Sequence, residues 1–224
     1  MTSASRPAAL PSVPHAMEVI RAHTRPIMLA DLDVALWLAD ELTPIWEATE
    51  SDLEARRMGP PFWAFAWAGG QAVARYVLLH PEIVAGKRVL DLAAGSGLLA
   101  IAAMKAGAAS ALANDVDPWC EAAVELNAEE NGVRVAWTGV DLLDAALPEV
   151  DVILAGDVFY EAEMARRFLA FLKRAHGAGV DVLVGDPART YFPRDAFVQA
   201  AEYAIETTTE IESADTKRTR VWRL

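Results

Sequence analysis

Val89-Leu90-Asp91-Leu92-Ala93-Ala94-Gly95-Ser96-Gly97 runs straight into Leu98-Leu99-Ala100-Ile101, so a short apolar strand, a glycine turn and an apolar helix follow one another without a break. Gly95 and Gly97 allow the backbone to turn sharply and to approach a ligand closely. Ligands of open α/β sheets bind outside the carboxyl ends of the strands, where this turn must lie. Gly95-Ser96-Gly97-Leu98-Leu99-Ala100 also satisfies the G-x-G-x-x-A form of the dinucleotide fingerprint, so the glycines alone do not choose the ligand.

Outward from this turn, β-rich apolar runs alternate with helical ones, the pattern of a parallel sheet covered on both faces. Strands are expected at 88–91, 111–115, 133–138, 152–156 and 180–185, with helices starting near Gly97, Pro118, Ala162 and Arg194. The last two strands, 205–211 and 218–222, leave no room for a crossover helix and should pair as an antiparallel hairpin. A plain dinucleotide-binding sheet is parallel throughout, whereas an antiparallel close is the mark of a Rossmann-like, seven-stranded methyltransferase sheet. Before Lys87 the chain reads as a helical N-terminal extension, residues 17–86, with helices over 31–40 and 70–80 and a polar stretch at 47–57. Residues 1–16, with three prolines and one arginine, read as a disordered tail, and 17–224 as a single domain.

The chain has 224 residues, 54% of them hydrophobic, with a formal charge of -12. No apolar run reaches the length that spans a bilayer, so no membrane partner is expected. The negative charge disfavours nucleic acid, whose affinity comes from clustered Lys and Arg. The single cysteine, Cys120, can form no internal disulfide and suits packing in a reducing compartment. The tail lacks a secretory apolar run, and its prolines argue against an amphipathic organellar presequence.

Asp91 tilts the choice of ligand. An acid four residues before Gly95 suits the cationic amino end of S-adenosylmethionine and would repel a dinucleotide pyrophosphate. Asp115, twenty residues beyond Gly95, ends the second strand where a carboxylate can accept both ribose hydroxyls, with Val116 beside it. Asp117 precedes Pro118 and reads better as the cap of the next helix. Asp141 can accept from an adenine amino group or stand in a solvated loop. No metal is required.

The fourth strand delivers Asp157-Val158-Phe159-Tyr160 to the same edge, placing a carboxylate and two aromatics beside the methyl donor. Asp157 is expected to touch the cofactor and to orient an acceptor amine, with Phe159 and Tyr160 lining the channel; the alternative for Asp157 is a helix cap. Upstream, Pro61-Phe62-Trp63-Ala64-Phe65-Ala66-Trp67-Ala68-Gly69-Gly70 is dense in aromatics. Trp63 could face an ammonium substrate and Trp67 the sulfonium, or both could simply pack the N-terminal segment onto the sheet. In Gly185-Asp186-Pro187-Ala188-Arg189, Asp186 and Arg189 could shape the acceptor pocket or pair with each other to fix the loop.

Taken in order, Pro61-Phe62-Trp63-Ala64 with Trp67 and Gly69-Gly70, the Asp91 to Gly97 turn, Asp157-Val-Phe-Tyr160 and Gly185-Asp186-Pro187 resemble the electron transfer flavoprotein β-subunit lysine methyltransferases of methyltransferase family 16. The resemblance runs from about Ala22 to Val221-Trp222, and departs at Ala93, where many methyltransferases carry glycine. It implies S-adenosylmethionine as cofactor, with S-adenosylhomocysteine as product. The implied substrate is a protein lysine, in the flavoprotein β subunit and, for bacterial relatives, also in ribosomal protein L7/L12. A monomeric, bacterial, cytoplasmic member fits the lack of a clear presequence better than a mitochondrial one. The rival readings are a small-molecule or other protein N-methyltransferase, a catalytically silent S-adenosylmethionine-binding module and, more distantly, a dinucleotide-dependent oxidoreductase.

Overall fold

The structure is a computed structural model and describes residues 12–39, 45, 60–207 and 216–224. Helix α1 (Val13–His23) leads into an antiparallel pair, β1 (Arg25–Leu29) and β2 (Val34–Leu38), which form a small sheet of their own. After a 3-10 turn at Phe62–Ala64 come α2 (Ala68–Leu79), β3 (Arg88–Leu92), α3 (Leu98–Lys105), β4 (Ser110–Asn114), α4 (Trp119–Glu130) and β5 (Ala136–Thr138). The remainder is β6 (Val152–Gly156), α5 (Ala162–Gly177), β7 (Asp181–Asp186), β8 (Val198–Glu206) and β9 (Thr216–Arg223). The main sheet has seven strands in the order β5-β4-β3-β6-β7-β9-β8. Its first five strands are parallel, and β9 pairs antiparallel with both β7 and β8, as the terminal hairpin required. Among the described residues no helix is long and apolar enough to cross a membrane.

Successive side chains of a strand point to opposite faces, and here the two faces carry separate cores. Val89, Leu154, Leu183 and Val221 pack against α2, α3 and β2 through Val73, Val77, Ile101 and Leu36. Leu90, Leu92, Ile153 and Val184 pack on the other side against Phe168, Phe171 and Leu172 of α5. The sheet is therefore buried on both faces, which explains its unbroken apolar strands.

Five expectations are corrected. The tail is shorter than expected, since Val13–Ala16 already belong to α1 and Ala16 is buried; residues 1–11 lie outside the described residues. The helix expected over 31–40 is replaced by β2, so the N-terminal extension is not purely helical. Its backbone is satisfied on both edges: β1 pairs with one, while on the other Asn127 Oδ1 accepts from Trp37 N at 2.7 Å and Asn131 bonds both N and O of Ala35. The helix expected near Arg194 is a single 3-10 turn, Arg194–Ala196. The strand drawn at 205–211 instead begins at Val198, because Ala201, Tyr203 and Ile205 alternate inward onto the core; residues 208–211, like the polar stretch 47–57, lie outside the described residues. The third strand is also shorter than drawn, at Ala136–Thr138.

The start of α2 presses directly on the ends of β6 and β7. A Cβ on Gly185 would collide with the Gly69 carbonyl, and one on Gly156 would stand 2.5 Å from Gly70 N. Only hydrogen fits at these contacts, and because the obstructing atoms are backbone, side-chain adjustment cannot relieve them. Gly185→Ala is expected to destabilise the protein by about 3 kcal/mol, read as a lowered urea midpoint at unchanged slope.

Candidate active site

The carboxyl ends of β3, β4 and β6, closed over by the Phe62–Trp67 stretch and Arg189, enclose a cavity of about 450 Å³. Ala93, Gly95 and Gly97 line or flank it with φ of 58°, 50° and 79°, so three left-handed residues in five make the turn that the glycines announced. Two side chains hold this turn: Gly95 N donates to the partly buried Asp115 Oδ2 at 3.0 Å, and the buried Asn127 Nδ2 donates to Ser96 O at 2.8 Å.

Asp91 is 1% exposed, lines the cavity, and accepts from Ala100 N at 2.9 Å in the first turn of α3. Burial pushes its carboxyl up to about 8, with the nearby Asp115 charge adding and the Ala100 and Leu99 N–H groups opposing. Burial likewise raises Asp115, against the N–H groups of Asp117 and Gly95 and the Cys120 thiol. Burial raises the Cys120 thiol well above its ordinary value; Cys120 lines the cavity but is held neutral. Asp117 caps α4 as expected, its Oδ1 accepting from Trp119 N at 2.9 Å. Val116, 58% exposed, offers a flat apolar wall beside Asp115.

Asp157 has a φ of 57°, a conformation that costs a non-glycine residue energy and persists only where surroundings enforce it. Its Oδ2 accepts from Gly69 N at 2.5 Å and Gly70 N at 3.3 Å, at the start of α2. Its Oδ1 accepts from Arg189 Nε at 2.9 Å and Nη2 at 2.6 Å. A carboxylate offers about four acceptor positions, and these donors fill them. Asp157 thus lines the cavity as an engaged wall group, which departs from the expectation that it bonds an acceptor amine directly.

The mouth of the cavity is aromatic. Phe62 meets Trp67 edge-on at 5.5 Å and Tyr160 at 5.8 Å, Tyr160 is 54% exposed, and the Arg189 guanidinium lies 5.6 Å over the Trp67 ring. Burial raises the Tyr160 hydroxyl, helped by Asp115 and Glu161.

Three expected site residues stand elsewhere. Phe159 is fully buried among Phe192 and Phe197 and serves the core, since its neighbour Tyr160 takes the outward direction. Asp141 gives Oδ1 to Leu143 N and Oδ2 to Arg167 at 2.7 Å, outside the cavity lining. Asp186 lies behind the wall: its Oδ1 accepts from Arg189 N at 2.7 Å, and burial raises it to about 7, with Asp157 adding and the Arg189 and Ala188 N–H groups opposing. The loop is therefore fixed by Asp186 on the Arg189 backbone while the Arg189 side chain turns to Asp157. Trp63 lines the cavity but is 1% exposed and stacked on Trp119, so packing is its main contact. Met164 and Phe168 also line the cavity, and nothing in an isolated apolar residue of a sequence marks it as a pocket wall.

The donor set fits a nucleoside carrying a cationic amino acid: buried carboxylates toward one end, an apolar shelf at Val116 and an aromatic opening. A family model for ribosomal protein L11 methyltransferase (PrmA) matches residues 77–166. The electron transfer flavoprotein β-subunit lysine methyltransferase of Xenopus laevis is 36% identical over 187 residues, covering 81% of this chain and 76% of its own. Among solved structures, a protein of Pyrococcus horikoshii described as an RNA methyltransferase superposes with a TM-score of 0.56 at 21% identity, covering 74% of this chain and 87% of its own. The magnesium protoporphyrin IX methyltransferase of Synechocystis, solved with bound S-adenosylmethionine, gives 0.50 at 15% identity over 69% and 77%. Fold and site together define a class I methyltransferase that uses S-adenosylmethionine. Within that class, the chain belongs to the electron transfer flavoprotein β-subunit lysine methyltransferase family.

A cationic ligand beside Asp91 favours its ionised form, so binding should expel a proton below about pH 8. Calorimetry at neutral pH in two buffers of different ionisation enthalpy should report that release, and Asp91→Asn should abolish it and weaken binding about tenfold or more. Because the folded value lies above the ordinary carboxylate range, Asp91 withdraws stability as pH rises from about 4 toward 8. The same variant should therefore raise the melting point of the cofactor-free protein at pH 8.

Proposed function

We propose that this protein methylates lysine side chains of the electron transfer flavoprotein β subunit. The observation that carries the reading is the aromatic mouth of Phe62, Trp67 and Tyr160, opening beside the Asp157–Arg189 wall on the cavity that Asp91 and Asp115 also line. The name of the Xenopus relative supports the flavoprotein as substrate. Ribosomal protein L7/L12 is a second acceptor in this reading, favoured by the match to a model for methyltransferases of another ribosomal protein. A single catalytic domain acting as a cytoplasmic monomer completes the proposal.

Asp91 would hold the amino end of the cofactor and Asp115 its ribose, with Ala93, Gly95 and Gly97 offering backbone at close approach and Val116 and Trp67 covering its apolar surfaces. When bound, S-adenosylmethionine supplies a methyl group on a sulfonium; the amine lone pair forms the new N–C bond as the S–C bond breaks, its electrons remaining on sulfur. The protein's own part is to hold the amine in line and exclude water. Lysine, with a reference pKa of about 10.4, arrives protonated, and a desolvated channel favours loss of that proton. Tyr160 and Phe62 would form that channel.

The test is to incubate the protein with labelled S-adenosylmethionine and purified flavoprotein β subunit, alongside a cell extract. Label in the β subunit, recovered as methyl-lysine, is expected, and Tyr160→Ala should reduce the rate by about 10²-fold through lost alignment. Label confined to small molecules would replace this reading with a small-molecule N-methyltransferase. Cofactor binding without transfer to either would leave a binding module.

A further inference from the structure

We propose that Arg189 is a charge-setting, positioning residue: by neutralising Asp157 in the cavity wall, it makes the acceptor side of the cavity select an amine in its neutral form. This rests on the reading of the acceptor as a lysine.

The geometry supports it in three ways. Both Arg189 donors converge on one oxygen of Asp157, at 2.9 and 2.6 Å, while the other oxygen takes the backbone of Gly69 and Gly70. The guanidinium is held from above by the Trp67 ring at 5.6 Å and from its own backbone by Asp186. Asp157 and Arg189 both line the cavity, with side chains only 9% and 20% exposed, so solvent screens the pair little.

An unpaired carboxylate there would attract an ammonium and raise its pKa by about 1 to 3 units, the wrong direction for a nucleophile that must present a lone pair. Arg189 cancels that attraction. The other charged groups do not replace it. On the cofactor side Asp91 and Asp115 line the part of the cavity assigned to the amino end and the ribose of the cofactor, Asp117 is engaged in capping α4, and Cys120 is neutral. On the acceptor side Tyr160 is held in its neutral form by burial, with the Asp115 and Glu161 charges adding; Glu161 is an anion held by Glu163 N and Met164 N outside the cavity lining, and Asp186, raised to about 7, ionises over the range tested but lies behind the wall with its Oδ1 on Arg189 N. Among the described residues Arg189 is the cation that lines the cavity.

A merely structural ion pair would hold the loop without setting any proton preference, and the test separates the two. The probe is n-butylamine, a lysine side chain without its polypeptide, titrated by NMR against the S-adenosylhomocysteine-loaded protein from about pH 7 to pH 10, around the lysine reference value. Wild-type affinity is expected to rise about tenfold per pH unit, because only the neutral amine is taken. In Arg189→Gln that slope should flatten to less than about threefold per unit. Arg189→Lys should keep the steep slope, and the double variant Asp157→Asn, Arg189→Gln should regain it, since both charges are then gone. A slope in Arg189→Gln as steep as the wild type's, or a wild-type affinity that does not rise with pH, overturns the proposal. Binding of S-adenosylhomocysteine to each variant, measured in the same samples, reports folding. A protein that selects the neutral amine yet transfers no methyl to any lysine would refute the proposed function and leave this inference standing.

Discussion

The carboxylate of Asp157 is the contact on which the rest of the site depends. It takes the first N–H groups of α2 on one oxygen and a guanidinium on the other, and it does so from a left-handed backbone that its own side chain disfavours. The positive end of the helix dipole and the Arg189 charge together stabilise the anion. In return, the anion fixes where α2 starts, where the β7 loop lies and how the aromatic stretch before α2 folds over the cavity. Gly69, Gly156 and Gly185 make this possible by letting backbone meet backbone, a contact no larger residue permits.

Electrostatically the cavity has two unlike ends. Toward the cofactor, buried carboxylates gather with few described cations among them, and their raised proton affinities record the strain of that arrangement. Toward the mouth, the charges are paired and the surface is aromatic. A ligand with a cationic amino acid at one end would find the buried carboxylates complementary to that end alone, which would favour one orientation before any chemistry begins.

Much of this was legible in the sequence, where local rules govern. The strand-turn-helix around Gly95 and Gly97, the cap at Asp117 and the antiparallel close of the sheet each follow from a few adjacent residues. What escaped depends on distant partners. Val34–Leu38 reads as part of a helix until Asn127 and Asn131, some ninety residues on, are seen to bond its backbone. Asp141 reads as an adenine acceptor until Arg167 claims it, and Phe159 as a channel wall until the rings of Phe192 and Phe197 enclose it. Asp157 is legible in the sequence as a carboxylate at the cavity edge, but its bonding is not, because the Gly69 and Arg189 donors come from far along the chain in both directions.

Asn127 does more than close the edge of β2. Fully buried, it grips Ser96 O in the cofactor turn with its amide nitrogen and Trp37 N in the small sheet with its amide oxygen. A single planar group with no rotational slack thus joins two segments that share no backbone pairing. The small sheet β1–β2, remote in sequence from the glycine turn, is thereby tied to it through one buried side chain, so a displacement of either is felt by the other.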